Sequence, residues 1–217
     1  MVNDWDIPEL DLSLQAGSLP EPVLKWGVAR TTPCQGGSWH FYTSDYRFLG
    51  LIGRPFLVPR TGCAVAVEVN FTITPQMPRA VALERIYQKR RLSTLWQKDS
   101  QVRIIVDLNC SVGGRHDDLN LLGVPVGWGA YATRVHREAS FEQIEAEHEL
   151  AVCHWAKGQT VASLLRKQDP PTLPFWVVFG GGKRAKAACA ARDWRWVPEW
   201  MDKVKGRPIA SDEVSGG

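Results

Sequence analysis

Apolar and polar positions alternate along two stretches, Cys63–Thr72 and Val102–Ser111, at the two-residue period of a β-strand. In the first, Cys63, Val65, Val67, Val69 and Phe71 share one face, and Ala64, Ala66, Glu68, Asn70 and Thr72 share the other. In the second, Val102, Ile104, Val106, Leu108 and Cys110 oppose Arg103, Ile105, Asp107, Asn109 and Ser111. A helical pattern from Pro78 to about Gln97 lies between them, which predicts a βαβ unit. Strands covered on both faces of a parallel sheet read as nearly continuous apolar runs. These two turn polar toward their C-terminal ends, so a polar face must meet water, a ligand or a buried hydrogen-bond network.

The remaining pattern extends this alternation of strand and helix. Trp39–Thr43 and Trp128–Val135 are strand candidates, and Phe175–Phe179 reads as a buried strand running into Gly180-Gly181-Gly182-Lys183. In the Pro78 helix, Leu83, Ile86 and Tyr87 form a stripe with which Leu92, Leu95 and Trp96 are out of phase, predicting a bend or break around Lys89-Arg90-Arg91. Ser140 and Gln143 form a capping box that opens a helix to about Lys157. Its apolar face carries Ile144, His148, Ala151, Val152 and Trp155, with Glu142, Glu145 and Glu149 toward solvent. A short helix over Thr160–Lys167, a helix through Ala191 and an aromatic segment Asp193–Trp200 follow. Residues 49–62 are rich in glycine and proline and predict turns.

Together these patterns predict an α/β fold with a mostly parallel central sheet flanked by helices, as a three-layer sheet or, second, a partial irregular barrel. Residues 1–35 read as an extended arm packing through Trp5, Leu24 and Trp26, residues 36–205 as one α/β domain and 206–217 as a disordered tail.

Composition narrows the class without naming it. At 217 residues the chain can bury a sizeable core, and its 44% apolar and 23% charged content is that of a globular protein. Five dispersed cysteines, none in a CxxC pair, favour reduced thiols over a disulfide frame or zinc site. No apolar run reaches membrane-spanning length and the acidic start is no signal peptide, so a cytoplasmic location without membrane partners is expected. A net charge of +3 does not argue for nucleic acid on its own.

Ligands of α/β sheets bind beyond the carboxyl ends of the strands. That rule gathers Asn70, Thr72, Asp107, Asn109, the His116-Asp117-Asp118 loop, His136, Glu138 and the Gly180–Lys183 loop. Asp107, His116 and Asp117 are the candidate catalytic groups, Asn70, Asn109 and His136 the crevice polars, and a divalent metal with phosphate is the chemistry they suit. The plainer alternative is that Glu68, Arg103 and Asp107 neutralise one another on adjacent strands. Strand–GGGKR–helix can offer backbone N–H groups and a helix N-terminus to an anion, although it lacks the Walker spacing. From Lys183 to Arg207 there are eight basic residues against three acidic ones, with Trp194, Trp196 and Trp200 interleaved. With Lys89-Arg90-Arg91 they suggest a basic–aromatic surface for nucleic acid, or else an ordinary solvated face.

The order of several short motifs resembles a family known as domain of unknown function 4417, spread among phages, plasmids and bacterial genomes. Trp39-His40-Phe41, Asp45-Tyr46-Arg47-Phe48, Asn70-Phe71-Thr72, Met77-Pro78, Tyr87, Arg90, Arg91, Trp96-Gln97, Gly123-Val124-Pro125 and Val177-Val178-Phe179-Gly180 carry it over about residues 38–182. The resemblance implies a mobile-element origin, an α/β fold and, from labels on some relatives, an association with replication. Its pattern has an aspartate in place of Asn70, and a proline and tryptophan in place of Val106 and Cys110. The expectation is therefore a phage- or plasmid-derived protein acting on or beside DNA, with Lys89, Arg90, Arg91, Lys183 and Arg184 on phosphates. The alternatives are a factor binding a host protein through exposed tryptophans and a metal-dependent phosphoryl-transfer or nuclease-like enzyme using Asp107, His116, Asp117 and Lys183.

Overall fold

The computed structural model describes residues 5–27, 33–108, 110–135, 141–165 and 174–198, with the backbone alone over 159–165. Seven parallel strands form one sheet in chain order: β1 (Val23–Lys25), β2 (Ser38–His40), β3 (Val65–Val67), β4 (Arg103–Asp107), β5 (Ala130–Val135), β6 (Phe175–Gly180) and β7 (Arg195–Val197). The helices are α1 (Arg79–Ser100), α2 (Phe141–Leu165) and α3 (Gly182–Ala190). Single 3-10 turns between Asp45 and Thr61 fill the β2–β3 crossover.

This order decides between the two expected architectures. Parallel crossovers are right-handed, so a strand order that never reverses puts every crossover on the same face. A three-layer sheet needs a reversal to cover both faces. Without one, the sheet curls into a half-barrel with its helices outside, which was the second of the two expectations. The curl brings β2 and β6 together although three strands separate them. The His40 and Phe179 rings lie 4.7 Å apart, and the Tyr42 and Phe179 rings 4.8 Å apart. Arg195 of β7 comes within 3.4 Å of Glu21, just ahead of β1.

Register assigns the faces, because paired residues of parallel strands point the same way. Lys25↔His40, Val67↔Ile105, Asp107↔Ala132 and Arg134↔Phe179 place these side chains on the concave face. Trp39, Ala66, Ile104, Val106, Tyr131 and Val178, on the alternate positions, face the helices and are buried.

Helix α1 runs unbroken through the predicted break. Ala82, Ile86, Lys89, Arg90, Ser93 and Gln97 form one buried stripe at helical spacing, flanked by buried Leu92 and Trp96. The stripe turns from apolar to charged at Lys89-Arg90, which makes it look interrupted in sequence. Likewise α2 is one helix, and the short helix expected at Thr160–Lys167 is its continuation as far as Leu165. Ser140 of the capping box lies outside the described residues.

The N-terminal stretch packs as an arm and then supplies β1. Gln15 bridges Ile104 in parallel, Ala16 N–H donates to Ile104 O at 3.0 Å, and Gly129 N–H donates to Gln15 Oε1 at 2.7 Å. β4 pairs with β3 over its first three residues and with β5 over its last two. Gln15 therefore occupies the gap where β5 has not yet begun. Trp26 is buried as expected, whereas Trp5 is 52% exposed.

Candidate functional site

The polar ends of β3 and β4 meet a buried hydrogen-bond network. Asp107 ends β4 with its carboxylate almost wholly enclosed. Tyr42 donates its hydroxyl proton to Oδ1 at 2.7 Å, while Asn70 Nδ2 and Lys89 Nζ each reach Oδ2 at 3.0 Å. Lys89 also donates to the Asp107 carbonyl. On the helix side of the sheet, Glu68 pairs with Arg90, lies 3.8 Å from Lys89, and accepts from Asp107 N–H. Arg90 uses its remaining donors on Leu122 O and Asn120 O, both at 2.7 Å. A buried charge is tolerated when a counter-charge and hydrogen bonds replace its lost hydration. Here two acids from the strands and two bases from α1 supply that.

This arrangement corrects two readings of the sequence. Lys89 and Arg90 are 0% exposed and committed to Asp107 and Glu68, so neither can meet a phosphate at the surface. Arg91 is only partly exposed and donates to Ile52 O at 3.3 Å, so Lys89-Arg90-Arg91 forms no basic patch. The carboxylates are neutralised, but not by Arg103, which is exposed and donates to Gln15 O. Asn70 fits where an acid would not, since its amide donates to the Asp107 carboxylate.

The other candidate catalytic groups sit apart in the loop after β4. His116 is buried, with Nε2 3.0 Å from Met77 O. Asp117 Oδ2 accepts from Gly113 N–H at 3.0 Å and shapes the turn. Asp118 pairs with Arg79 at the surface. Among the described residues, no three His, Cys, Asp or Glu side chains converge as a metal site. Asn109 and His136 lie outside the described residues, as does Glu138.

A second polar group lines the concave mouth, where Lys25, His40, Tyr42, Arg134, Phe179, Gly180 and Pro198 surround a recess with room for about one water, ~10 Å3. His40 is buried and its Nδ1 has no hydrogen-bond partner. Burial, with Lys25 and Arg134 nearby, pushes its pKa down to about 3, so the ring is neutral at physiological pH. Gly180 leads directly into α3. Gly180, Gly181 and Gly182 all have positive φ, and a Cβ on Gly181 would come within 2.6 Å of the Ala185 Cβ. Trp196 Nε1 anchors the turn on Gly180 O at 2.8 Å.

Beyond that turn, Lys183, Arg184 and Lys186 project from the exposed side of α3. Lys186 lies over the Trp196 ring at 5.5 Å and Arg192 over the Trp194 ring at 5.4 Å. Arg192 pairs with Glu145 and Arg195 with Glu21, while Lys183, Arg184 and Lys186 have no salt bridge among the described residues. Trp200, Lys203, Lys205 and Arg207 are outside those residues.

Two groups stand out that sequence reasoning passed over. Glu147 is buried on α2, accepting from Thr133 Oγ1 and, at 3.0 Å, from Gln143. Burial raises its pKa to about 7, and the Asp107 charge adds to that effect. Its position three residues after Ile144 put it on the apolar face, and that phase was the available signal. Lys25 and Arg134 at the mouth had no such signal, because only the curl brings them together. His148, by contrast, is a packed histidine, its ring 4.7 Å from that of Trp194 and 5.3 Å from that of Trp176.

A parallel α/β half-barrel with cations and a glycine turn at its open end is the class that fold and site define. Within it, part of the chain is similar to the Gene 1 protein of Mycobacterium phage D29, at 28% identity over 128 residues. The match covers 57% of this chain and 46% of the phage protein, so the chain spans under half of that protein's length. This similarity supports a phage derivation. No family model matches the chain, the domain of unknown function 4417 included, and no solved structure matches it. No described helix is long and apolar enough to cross a membrane.

Proposed function

We propose that this phage-derived protein binds nucleic acid along the edge formed by α3 and β7. The observation behind the reading is the exposed trio Lys183, Arg184 and Lys186 beside the half-exposed rings of Trp194 and Trp196. Cations on one helix face track a phosphate backbone, and indole faces stack bases without regard to sequence. The glycine turn and α3 N-terminus add backbone N–H groups at the same end. An association with replication fits this mode of binding, and the phage similarity is compatible with it. Lys89 and Arg90 have no part in it.

Fluorescence anisotropy of labelled single- and double-stranded oligonucleotides across a salt series tests the proposal. Binding is expected to fall linearly in log–log form, with a slope of about −0.7 to −0.9 per phosphate contacted. The triple variant K183E/R184E/K186E is expected to weaken binding by about tenfold or more and flatten the slope by two to three contacts' worth. Absence of binding at low salt, or binding indifferent to the triple variant, rejects it.

A further inference from the structure

We propose that the crossover between β2 and β3 is a docking face for an acidic protein segment with apolar anchors, which Tyr46, Leu49 and Phe56 receive and Arg54 and Arg60 neutralise. The proposal stands apart from the nucleic-acid reading, since none of these residues belongs to α3 or β7.

Three observations carry it. Tyr46, Leu49 and Phe56 are 67%, 47% and 41% exposed on successive 3-10 turns, Asp45–Arg47, Leu49–Leu51 and Pro55–Leu57. One exposed apolar residue is ordinary, whereas three on adjoining turns form a patch of the kind that marks contact surfaces. The charge around them has one sign: Tyr46–Thr61 holds three arginines, no lysine and no acid. Arg47 is spent on Gly27 O at 3.2 Å and the Tyr46 hydroxyl at 3.3 Å, but Arg54 and Arg60 are exposed and make no ion pair among the described residues. Asp45 does not neutralise them, because its carboxylate takes Thr72 and Arg85. Finally, the turns are clamped from behind. Phe48, Leu51 and Val58 are buried, Trp96 Nε1 donates to Pro55 O at 2.7 Å, and Trp39 Nε1 donates to Thr61 Oγ1 at 2.8 Å. A face held in place before its partner arrives loses little entropy on binding.

Composition and charge select the occupant. Protein–protein interfaces are enriched in Tyr, Phe and Arg and depleted of Lys, as this segment is. A guanidinium takes a carboxylate through two parallel N–H donors, so unpaired arginines beside apolar anchors call for Asp or Glu on the partner. Arg54 folds back over Gly50, its Nη2 3.5 Å from where a Cβ would stand there, which sets its charge against the turn that carries Leu49. A nucleic-acid strand suits the face less well. Two unpaired cations are few for tracking a phosphate backbone, and Leu49 has no ring on which a base could stack.

The test selects binders to the whole chain from a ribosome-displayed library of random peptides, then measures the most enriched peptide, made synthetically and labelled, by fluorescence anisotropy. Enriched peptides are expected to be acidic and to carry aromatic or leucine anchors. R54E/R60E and Y46S/F56S, each checked for an unchanged unfolding midpoint, are each expected to weaken the peptide by about tenfold or more. R54Q and F56S replace a double variant that does not fold. K183E/R184E/K186E is expected to leave the peptide's affinity unchanged. Enrichment of no peptide, or of peptides without net negative charge, overturns the proposal, as does binding that survives either double variant. A single-stranded oligonucleotide that displaces the peptide, and whose own binding R54E/R60E abolishes, assigns the face to nucleic acid and also overturns it. Sedimentation of the chain alone tests a second copy as occupant: a dimer that R54E/R60E dissociates overturns the proposal, and a monomer is the expected result.

Discussion

At the scale of single residues, the buried charges set the largest energies. Arg90 has no solvent contact, and three groups depend on it: Glu68, Leu122 O and Asn120 O. R90M leaves Glu68 with the Asp107 N–H and, as its remaining cation, the more distant Lys89, and breaking a buried pair in this way costs about 3–5 kcal/mol. Urea unfolding should show that loss, and E68Q in the same chain should recover part of it by removing the stranded charge. K89M should cost less, because Asp107 keeps Tyr42 and Asn70 as donors. Glu147 governs pH dependence. Its pKa is raised from 4.5 unfolded to about 7 folded, so its ionisation opposes the fold. The destabilisation is absent below pH 4.5, grows as pH rises and is complete above about 7, where it amounts to about 3 kcal/mol. E147Q should therefore be the more stable chain at pH 8 and lose that advantage toward pH 4.5. Equal stability differences at both pH values would contradict this assignment. His40 acts in the opposite sense, weakening the fold as pH drops from 6.5 toward 3.

Among the elements, the N-terminal stretch and α1 act together. Gln97 of α1 donates to Asp11 O and Leu14 O and accepts from Asp11 N–H, pinning the stretch that carries Gln15 into the β4–β5 gap. Ile7, Leu10, Ala16 and Leu19 are buried on the same path. A chain lacking residues 1–20 should lose cooperative thermal unfolding and bind a hydrophobic dye, since it bares the start of β4. A cooperative transition within a few degrees of the full chain would show the stretch to be dispensable. The same elements show how far pattern reading reaches. β3, β4, β5 and the helix between β3 and β4 were legible because their periods of two and near 3.6 persist over several residues, and β6 because it is a short continuous apolar run. The continuity of α1 was not. Lys89 and Arg90 are core residues whose charge is cancelled from β3 and β4, and helical period alone treats a charge as surface. β1 was equally hidden: three residues with a half-buried pattern carry no alternation long enough to detect.

For the molecule as a whole, local pattern determined the alternation of strand and helix and the mostly parallel sheet. It even located the residues of the network, Glu68, Asn70, Lys89, Arg90 and Asp107, while assigning Lys89 and Arg90 to the wrong environment. The curl and its consequences belong to tertiary structure. A strand order without reversal follows from which edges pair, and pairing across tens of residues leaves no mark on a local period. That order encloses the network beneath α1, removing its charges from solvent. It also brings Lys25, His40, Arg134 and Phe179 from four separate strands to one recess. Hydrophobic periodicity reports what each segment buries, whereas a site assembled across a barrel depends on which segments face one another.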